Sequence, residues 1–266
     1  MTDHKHPAPS GVTIYYWPCS LVLLAPSLLL DRPTSPLCAT LRIACRNPYT
    51  IEVDGRLLTT RASLVAPRAG RKKMMALNSD LALFYLPIDD PEYAGLKEVL
   101  GQDLVVDLPI AMFEHLLPRL RRAMSEVVDA PEIKALVREV VQAITGQHAA
   151  EPPAVDPRVT AACQVLDEMP LKDVSLEAVA EKVNLSSSRL RELFKKQTGF
   201  TIGEYARWRG VWRAALLWKR GAKLSGLAVE AGFYDMAHVD KAFNEVFGMN
   251  PSAVIDPRYV TLVSCE

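Results

Sequence analysis

The chain has 266 residues, 49% of them hydrophobic and 23% charged, the balance of a folded globular protein with one large or two modest domains. That composition excludes disordered, collagen-like and fibrous chains. Formal charge is zero, with 31 basic side chains against 31 acidic, so only the placement of charge bears on a polyanionic partner.

Near the N-terminus, His4, Lys5 and His6 precede the most apolar run, residues 20–30. A signal peptide would begin this way, but Pro7, Pro9 and Pro18 intervene and no small-residue cleavage site follows cleanly. The run is interrupted by Pro26 and is shorter than the roughly 20 residues of a spanning helix, so it predicts buried strands and no membrane partner. Cys19, Cys38, Cys45, Cys163 and Cys265 are scattered without a C-x-x-C pair, which fits a reducing, cytoplasmic setting and inert thiols.

Residues 11–88 predict strands: VTIYY, LVLL, ATLRIAC, YTIEV, RLLT, SLVAP, KMMAL and LALFYLP are short apolar or alternating runs separated by turn residues. This spacing predicts a sandwich or barrel, and Asp54-Gly55 predicts a two-residue hairpin. No histidine lies between Gly11 and Pro87; His115 falls in a helical stretch and His148 in a linker. A metal centre, a cofactor and catalytic residues are therefore not expected. The basic cluster Arg68, Arg71, Lys72 and Lys73 reads either as a seat for an anionic effector or as a solvated loop.

After Pro91 the period becomes helical, and residues 92–146 are expected to complete a first domain with the strands. One helix is predicted from Leu108 to Met124, with Ile110, Phe113, Leu117 and Leu120 near one face and Pro118 as a kink. A second is predicted from Glu132 to Ile144, with Pro131 at its start and Gly146 at its stop. Its apolar stripe suits packing on the strands or a dimer seam. Residues 147–157, QHAAEPPAVDP, read as a linker.

From residue 158 onward the pattern is helical to the end. Arg189 to Lys223 holds ten basic side chains against Glu192 and Glu204, a local charge of +8 that reads as a polyanion footprint or as a solvated helix face. Within residues 175–199, Ser175 can cap a helix with the stripe Leu176, Val179, Ala180 and Val183. After Asn184 and Leu185, Ser186 can cap a second helix closed by Gly199. This is a helix-turn-helix arrangement whose outward positions are Ser187, Ser188, Arg189, Arg191, Glu192, Lys195 and Lys196. Hydroxyls permit close approach, Arg can read guanine, Glu can accept from cytosine and Lys suits phosphate. A long helix follows over residues 203–220, with Arg207, Arg209, Arg213, Lys219 and Arg220 facing water or phosphate. Its Trp208, Trp212 and Trp218 are expected in the core. Residues 224–248 repeat the plan, turning at Gly232-Phe233 and presenting Met236, Ala237, His238, Asp240, Lys241, Asn244 and Glu245.

These residues resemble the DNA-binding domain of AraC/XylS-type bacterial transcriptional regulators. The resemblance rests on AVAEKVNLSSSRLRELFKKQTGFTIGEYARWR, on LAVEAGFYDMAHVDKAFNEVFGMNPSAV, and most specifically on Ala231-Gly232-Phe233, Phe243, Phe247-Gly248 and Pro251. It implies two recognition helices joined by a rigid helix, entering successive major grooves of double-stranded DNA. It also implies an activator-type partnership with RNA polymerase, and no enzyme activity. Ser188, Arg191 and Glu192, with Met236, Ala237, Asp240 and Lys241, match base-contacting positions. Arg207, Arg209, Lys219 and Arg220 are the expected phosphate contacts. Glu192 and Lys241 replace residues that are usually Arg, and Asp240, Asn244 and Glu245 make the second helix less basic, which implies a weaker second contact. Gly210 also replaces a common Arg. The strand region resembles the cupin-like domain of the same regulators, implying an effector or dimerisation domain and a homodimer. The expected fold is thus a two-domain α+β chain: a cupin-like barrel or sandwich followed by helices, then an all-α domain at residues 158–258. Two other functions remain: a cupin-type enzyme with a helical appendage, which the absent histidine cluster opposes, and an interaction protein that has lost base readout.

Overall fold

The structure, a computed structural model, describes residues 11–17, 20–87, 93–146, 156–219, 224–248 and 258–265. The chain divides into two compact units, Met1–Pro152 with Glu245–Glu266, and Pro153–Asn244.

The first unit begins with β1 (Val12–Trp17), β2 (Ser20–Ala25), β3 (Leu28–Leu30), β4 (Ala39–Ala44), β5 (Tyr49–Val53), β6 (Arg56–Thr60), β7 (Ala62–Val65), β8 (Arg71–Ala76) and β9 (Leu81–Leu86). Then come α1 (Tyr93–Leu100), β10 (Val105–Asp107), a 3-10 turn at Ile110–Phe113, α2 (Leu117–Ser125) and α3 (Ala130–Thr145). The last strand of this unit, β11 (Val260–Ser264), comes from the far end of the chain. A seven-stranded sheet runs β10-β7-β4-β9-β2-β1-β11 and a four-stranded sheet runs β3-β8-β5-β6. They form a sandwich and not a closed barrel. Among the described residues no helix is long and apolar enough to cross a membrane.

The large sheet is covered on both faces, so its central strands β2, β4 and β9 are buried along their whole length. Tyr15, Val22, Leu24, Leu41, Ile43, Leu64 and Phe84 share a core with Leu96, Phe113, Leu120 and the apolar stripe of α3. Alternation then turns the intervening side chains, Thr40 and Arg42 among them, toward the small sheet. The predicted hairpin closes as expected: Asp54 and Gly55 both have positive φ, 45° and 82°, and Val53 pairs with Arg56.

The eight strands named from sequence form, and β3 completes the 20–30 run expected as buried strands, while β10 and β11 and the helix α1 come in addition. β3 and β10 are three residues each, too short to show an alternation. Leu108 to Met124 is not one kinked helix. β10 ends just before it at Asp107, a 3-10 turn and α2 share the stretch, and Pro118 sits in the first turn of α2, where its missing N–H costs nothing. α3 is capped by Asp129, which accepts from the Glu132 amide at 2.8 Å, and ends at Gly146 with φ 75°. Its Ile133, Leu136, Val137, Val140, Val141 and Ile144 are all buried and share one core with the strands, so the stripe packs within the first unit.

The chain is not helical to its end. β11 runs parallel to β1, with Val12 opposite Val260 and Tyr16 opposite Ser264. The Cys265 amide donates to the Tyr16 carbonyl at 2.9 Å. Gly11 has no room for a side chain here, because a Cβ would stand 2.2 Å from the Tyr259 carbonyl oxygen.

The second unit is built from helices: α4 (Pro157–Glu168), a 3-10 turn at Leu171–Asp173, α5 (Leu176–Lys182), α6 (Ser187–Thr198), α7 (Ile202–Lys219), α8 (Leu224–Glu230) and α9 (Met236–Phe247), the last of which continues past the unit boundary at Asn244. Pro157, read as the last linker residue, instead opens α4, with Asp156 accepting from the Arg158 amide. The rest of that expected linker, residues 147–155, lies outside the described residues.

Candidate nucleic-acid interface

Two helical pairs carry the same local architecture. In the first, Ser175 caps α5 by accepting from the Ala178 amide, and Ser186 caps α6 by accepting from the Arg189 amide. Between them Asn184 takes a left-handed φ of 52°, and the Leu185 amide donates to the Ala180 carbonyl at 2.9 Å. In the second, Gly232 takes φ 83° and the Phe233 amide donates to the Ala228 carbonyl at 2.7 Å. Asp235 then takes the part of Ser186, accepting from the His238 amide at 2.8 Å. The turn at Gly232 tolerates no side chain, since a Cβ would approach the Leu171 backbone nitrogen to 2.5 Å.

The inner faces are apolar. Leu190, Leu193 and Phe194 of α6 are buried, as are Val239, Phe243 and Phe247 of α9. The Phe194 and Tyr205 rings meet edge to face, as do Trp208 and Trp212, both pairs with centroids 5.5 Å apart. Both of these tryptophans are core residues; the side chain of Trp218 lies outside the described residues.

The outward face of α6 carries Ser188, Arg189, Arg191, Glu192, Lys195 and Lys196, all exposed, with Ser187 half-buried at the helix start. Arg189 donates to Glu192 at 3.1 Å, so one carboxylate already neutralises one guanidinium on this face. Lys195 and Lys196 occupy the last turn, where cations also suit the helix dipole. On α9, Ala237, His238, Asp240 and Lys241 are exposed and Met236 is half-buried. The His238 ring stands edge-on to Phe233, at 5.2 Å between centroids, which fixes that imidazole beside the turn. Asn244 is turned inward along its own helix, donating to the Asp240 carbonyl at 2.8 Å.

The cations of α7 divide into two groups. Arg207 is exposed. Arg209 pairs with Asp167 of α4, and Arg213 donates to the Leu166, Asp167 and Met169 carbonyls at the end of that helix, the shortest bond being 2.6 Å. Both guanidiniums thus hold α4 against α7, with Arg213 serving the orphan carbonyls of a helix C-terminus. This use of Arg209 differs from the phosphate contact expected of it. The side chain of Lys219, together with Arg220 and Pro251, lies outside the described residues. Sequence reasoning passed over Tyr234, which is 89% exposed one residue before the cap of α9. An aromatic residue directly ahead of an Asp cap was the available signal.

The basic cluster on the strands also divides. Arg68, Lys72 and Lys73 are exposed, Lys72 lying 3.6 Å from Glu52. Arg71 instead points into the sandwich and is 5% exposed. Among the described residues no group of three or more His, Cys, Asp or Glu side chains is placed to hold a metal ion.

The family model of a helix-turn-helix domain matches residues 179–256. Over 95 residues the chain is 34% identical to the bifunctional transcriptional activator/DNA repair enzyme Ada of Escherichia coli K12; the match covers 35% of this chain and 25% of Ada. The chain therefore spans about a quarter of the length of that curated relative. ToxT from Vibrio cholerae has a similar fold, with a TM-score of 0.54 at 10% identity, covering 88% of this chain and 96% of ToxT. Wild-type ToxT with an unsaturated fatty acid bound also aligns at a TM-score of 0.54 and 10% identity, over 95% of this chain and 96% of that one.

Proposed function

We propose that this chain, whose C-terminal region carries an AraC-type helix-turn-helix domain, is a sequence-specific DNA-binding transcriptional regulator responsive to a small molecule. The observation that carries the reading is the doubled architecture. Two helix pairs share one turn geometry and one turn hydrogen bond, and each exposes the polar face of its second helix. On α6, Arg191 and Ser188 are the proposed base readers and Lys195 and Lys196 the phosphate contacts, with Ser187, Arg189 and Glu192 flanking them. On α9, Met236, Ala237, His238, Asp240 and Lys241 face a second groove, with a weaker contact because Asp240 opposes phosphate. Arg207 is the phosphate contact proposed on α7, and Tyr234 a packing contact to the backbone at the start of α9.

The first unit takes the effector role. Support comes from the likeness in fold to ToxT, one structure of which contains a fatty acid. Ligand would act by favouring one arrangement of the chain over another, which requires a difference in affinity between them. A homodimer in the cytoplasm, with RNA polymerase as protein partner, completes the proposal. The Arg189–Glu192 pair and the acidic side chains of α9 favour one other reading, a helical interaction protein without base readout.

The test is fluorescence anisotropy with duplex from the region upstream of the gene and with a scrambled duplex, at two salt concentrations. Tighter binding to the upstream sequence, weakening steeply with salt, is the expected result. Absence of binding at low salt would favour the interaction protein.

A further inference from the structure

Arg42 on β4 and Arg71 at the start of β8 face each other's sheets inside the sandwich, and they are 2% and 5% exposed. Neither has a carboxylate in ion-pair range among the described residues. Arg42 donates one Nη1 bond to Thr40 Oγ1 at 2.8 Å, and Arg71 one Nη2 bond to the Ala66 carbonyl at 3.3 Å. The Nε of each is buried with no partner.

This arrangement is costly for a protein to build for its own stability. A buried guanidinium gives up its hydration, and two of them repel. Burial lowers the Arg71 pKa to about 9, with Arg42 the next cause, and burial also lowers that of Arg42. The surrounding acids do not compensate. Burial pushes Cys38, Tyr49 and Tyr85 up to about 12, so all three are neutral at pH 7, and the Tyr49 hydroxyl is already bonded to Ser63 Oγ at 2.6 Å. Asp54 is the carboxylate with some influence on Arg71, and its Oδ2 accepts from the Gly70 amide at 3.1 Å. Among the described residues, Arg42 and Arg71 are thus two buried cations, each with an unpartnered Nε and neither with an ion-paired carboxylate.

The geometry points to an oxyanion site between Arg42 and Arg71, with the carboxylate of a small organic acid as its ligand. A planar carboxylate accepts from guanidinium edges in pairs, satisfies both Nε donors and removes the like-charge repulsion. The apolar side chains of the sandwich would receive the rest of the acid. The inference deepens the effector role proposed for the first unit, but its test is independent of DNA.

The experiment uses the full chain with octanoate, with octanamide as the uncharged counterpart, and with inorganic phosphate as the other source of an oxyanion. Thermal melts and calorimetric titration are run on wild type, Arg42→Met, Arg71→Met and Arg71→Lys. Octanoate is expected to bind and raise the melting temperature, octanamide to do neither, and phosphate to bind more weakly than octanoate. Each Met variant should lose at least tenfold in affinity while melting no lower than unliganded wild type, because an apolar side chain replaces an uncompensated buried charge. Arg71→Lys should weaken binding less than Arg71→Met, and it serves if a Met variant does not fold. The inference is overturned if octanoate and octanamide behave alike, if neither anion binds wild type, or if all three variants bind octanoate as wild type does. Met variants that melt well below unliganded wild type would make the arginines structural and overturn it as well. A chain that binds octanoate but no duplex would leave this site standing and remove the regulator reading alone.

Discussion

The ring of Phe233 occupies the space left by the missing side chain of Gly210: a Cβ on Gly210 would stand 3.2 Å from both Cε2 and Cζ of that ring. Gly210 is buried on α7 and Phe233 is buried in the turn between α8 and α9. An Arg at this position would not face phosphate. It would displace the ring that anchors the second turn, so the glycine answers to packing.

Gly210→Ala should be close to neutral in stability. The helix gains up to about 1 kcal/mol in propensity while the Phe233 ring yields a few tenths of an ångström. Gly210→Leu should cost about 1–3 kcal/mol by overpacking. Urea denaturation followed by circular dichroism checks both; a Leu variant as stable as wild type would mean that the ring has other room.

Arg191→Ala should cost about 1–3 kcal/mol of discrimination at one base pair and little at others. Lys195→Ala should weaken all duplexes alike and reduce the salt slope by about one. Site selection for the first and a salt titration for the second separate base reading from phosphate contact.

Asp167→Ala should lower stability by about 1 kcal/mol, since Arg209 keeps its burial and loses the Asp167 carboxylate. Its effect on the salt dependence of DNA binding should be small. A large change in salt slope would show that Arg209 is recruited to phosphate when DNA is bound.

Alkaline pH should destabilise the first unit. Cys38, Cys45, Tyr49 and Tyr85 have pKa values raised by burial to about 12, 11, 12 and 12, and so keep their protons longer folded than unfolded. Their contribution is intact below the unfolded values of 9.0 and 10.0 and is lost as pH climbs through the folded ones. Arg71, lowered to about 9, works in the opposite sense: it sheds its proton more readily folded, and its burial penalty eases as pH rises. With four acids against Arg71 and Arg42, the expected net is falling stability from about pH 9 upward. Tyrosinate absorbance should lag in the folded protein and rise sharply with unfolding.

The elements legible in the sequence were those whose signal is local. Ser175, Ser186 and Gly199 marked helix ends through their own side chains or lack of one, and the helices form between them. The Asp54-Gly55 hairpin was legible for the same reason. Features that depend on a distant partner were not legible. The pairing of β11 with β1 joins the two ends of the described chain, and residues 260–264 alternate too weakly to announce a strand. Arg209 and Arg213 read as surface cations until Asp167 and the end of α4 are placed beside them. Arg71 and Lys72 are neighbours in sequence, yet a strand sends them to opposite faces, one to the core and one to water.

The parallel pairing of β11 with β1 bears on the order of events during synthesis. β1 is made early and β11 only after the whole helical unit, so while the chain emerges from the ribosome the outer edge of β1 stays open. An open, apolar edge is a template for pairing with another nascent chain. The helical unit, by contrast, is rich in contacts close in sequence and can fold as it appears. Completion of the first sheet therefore waits on the second unit, and a translation arrest between them would release a chain with its sheet edge bare.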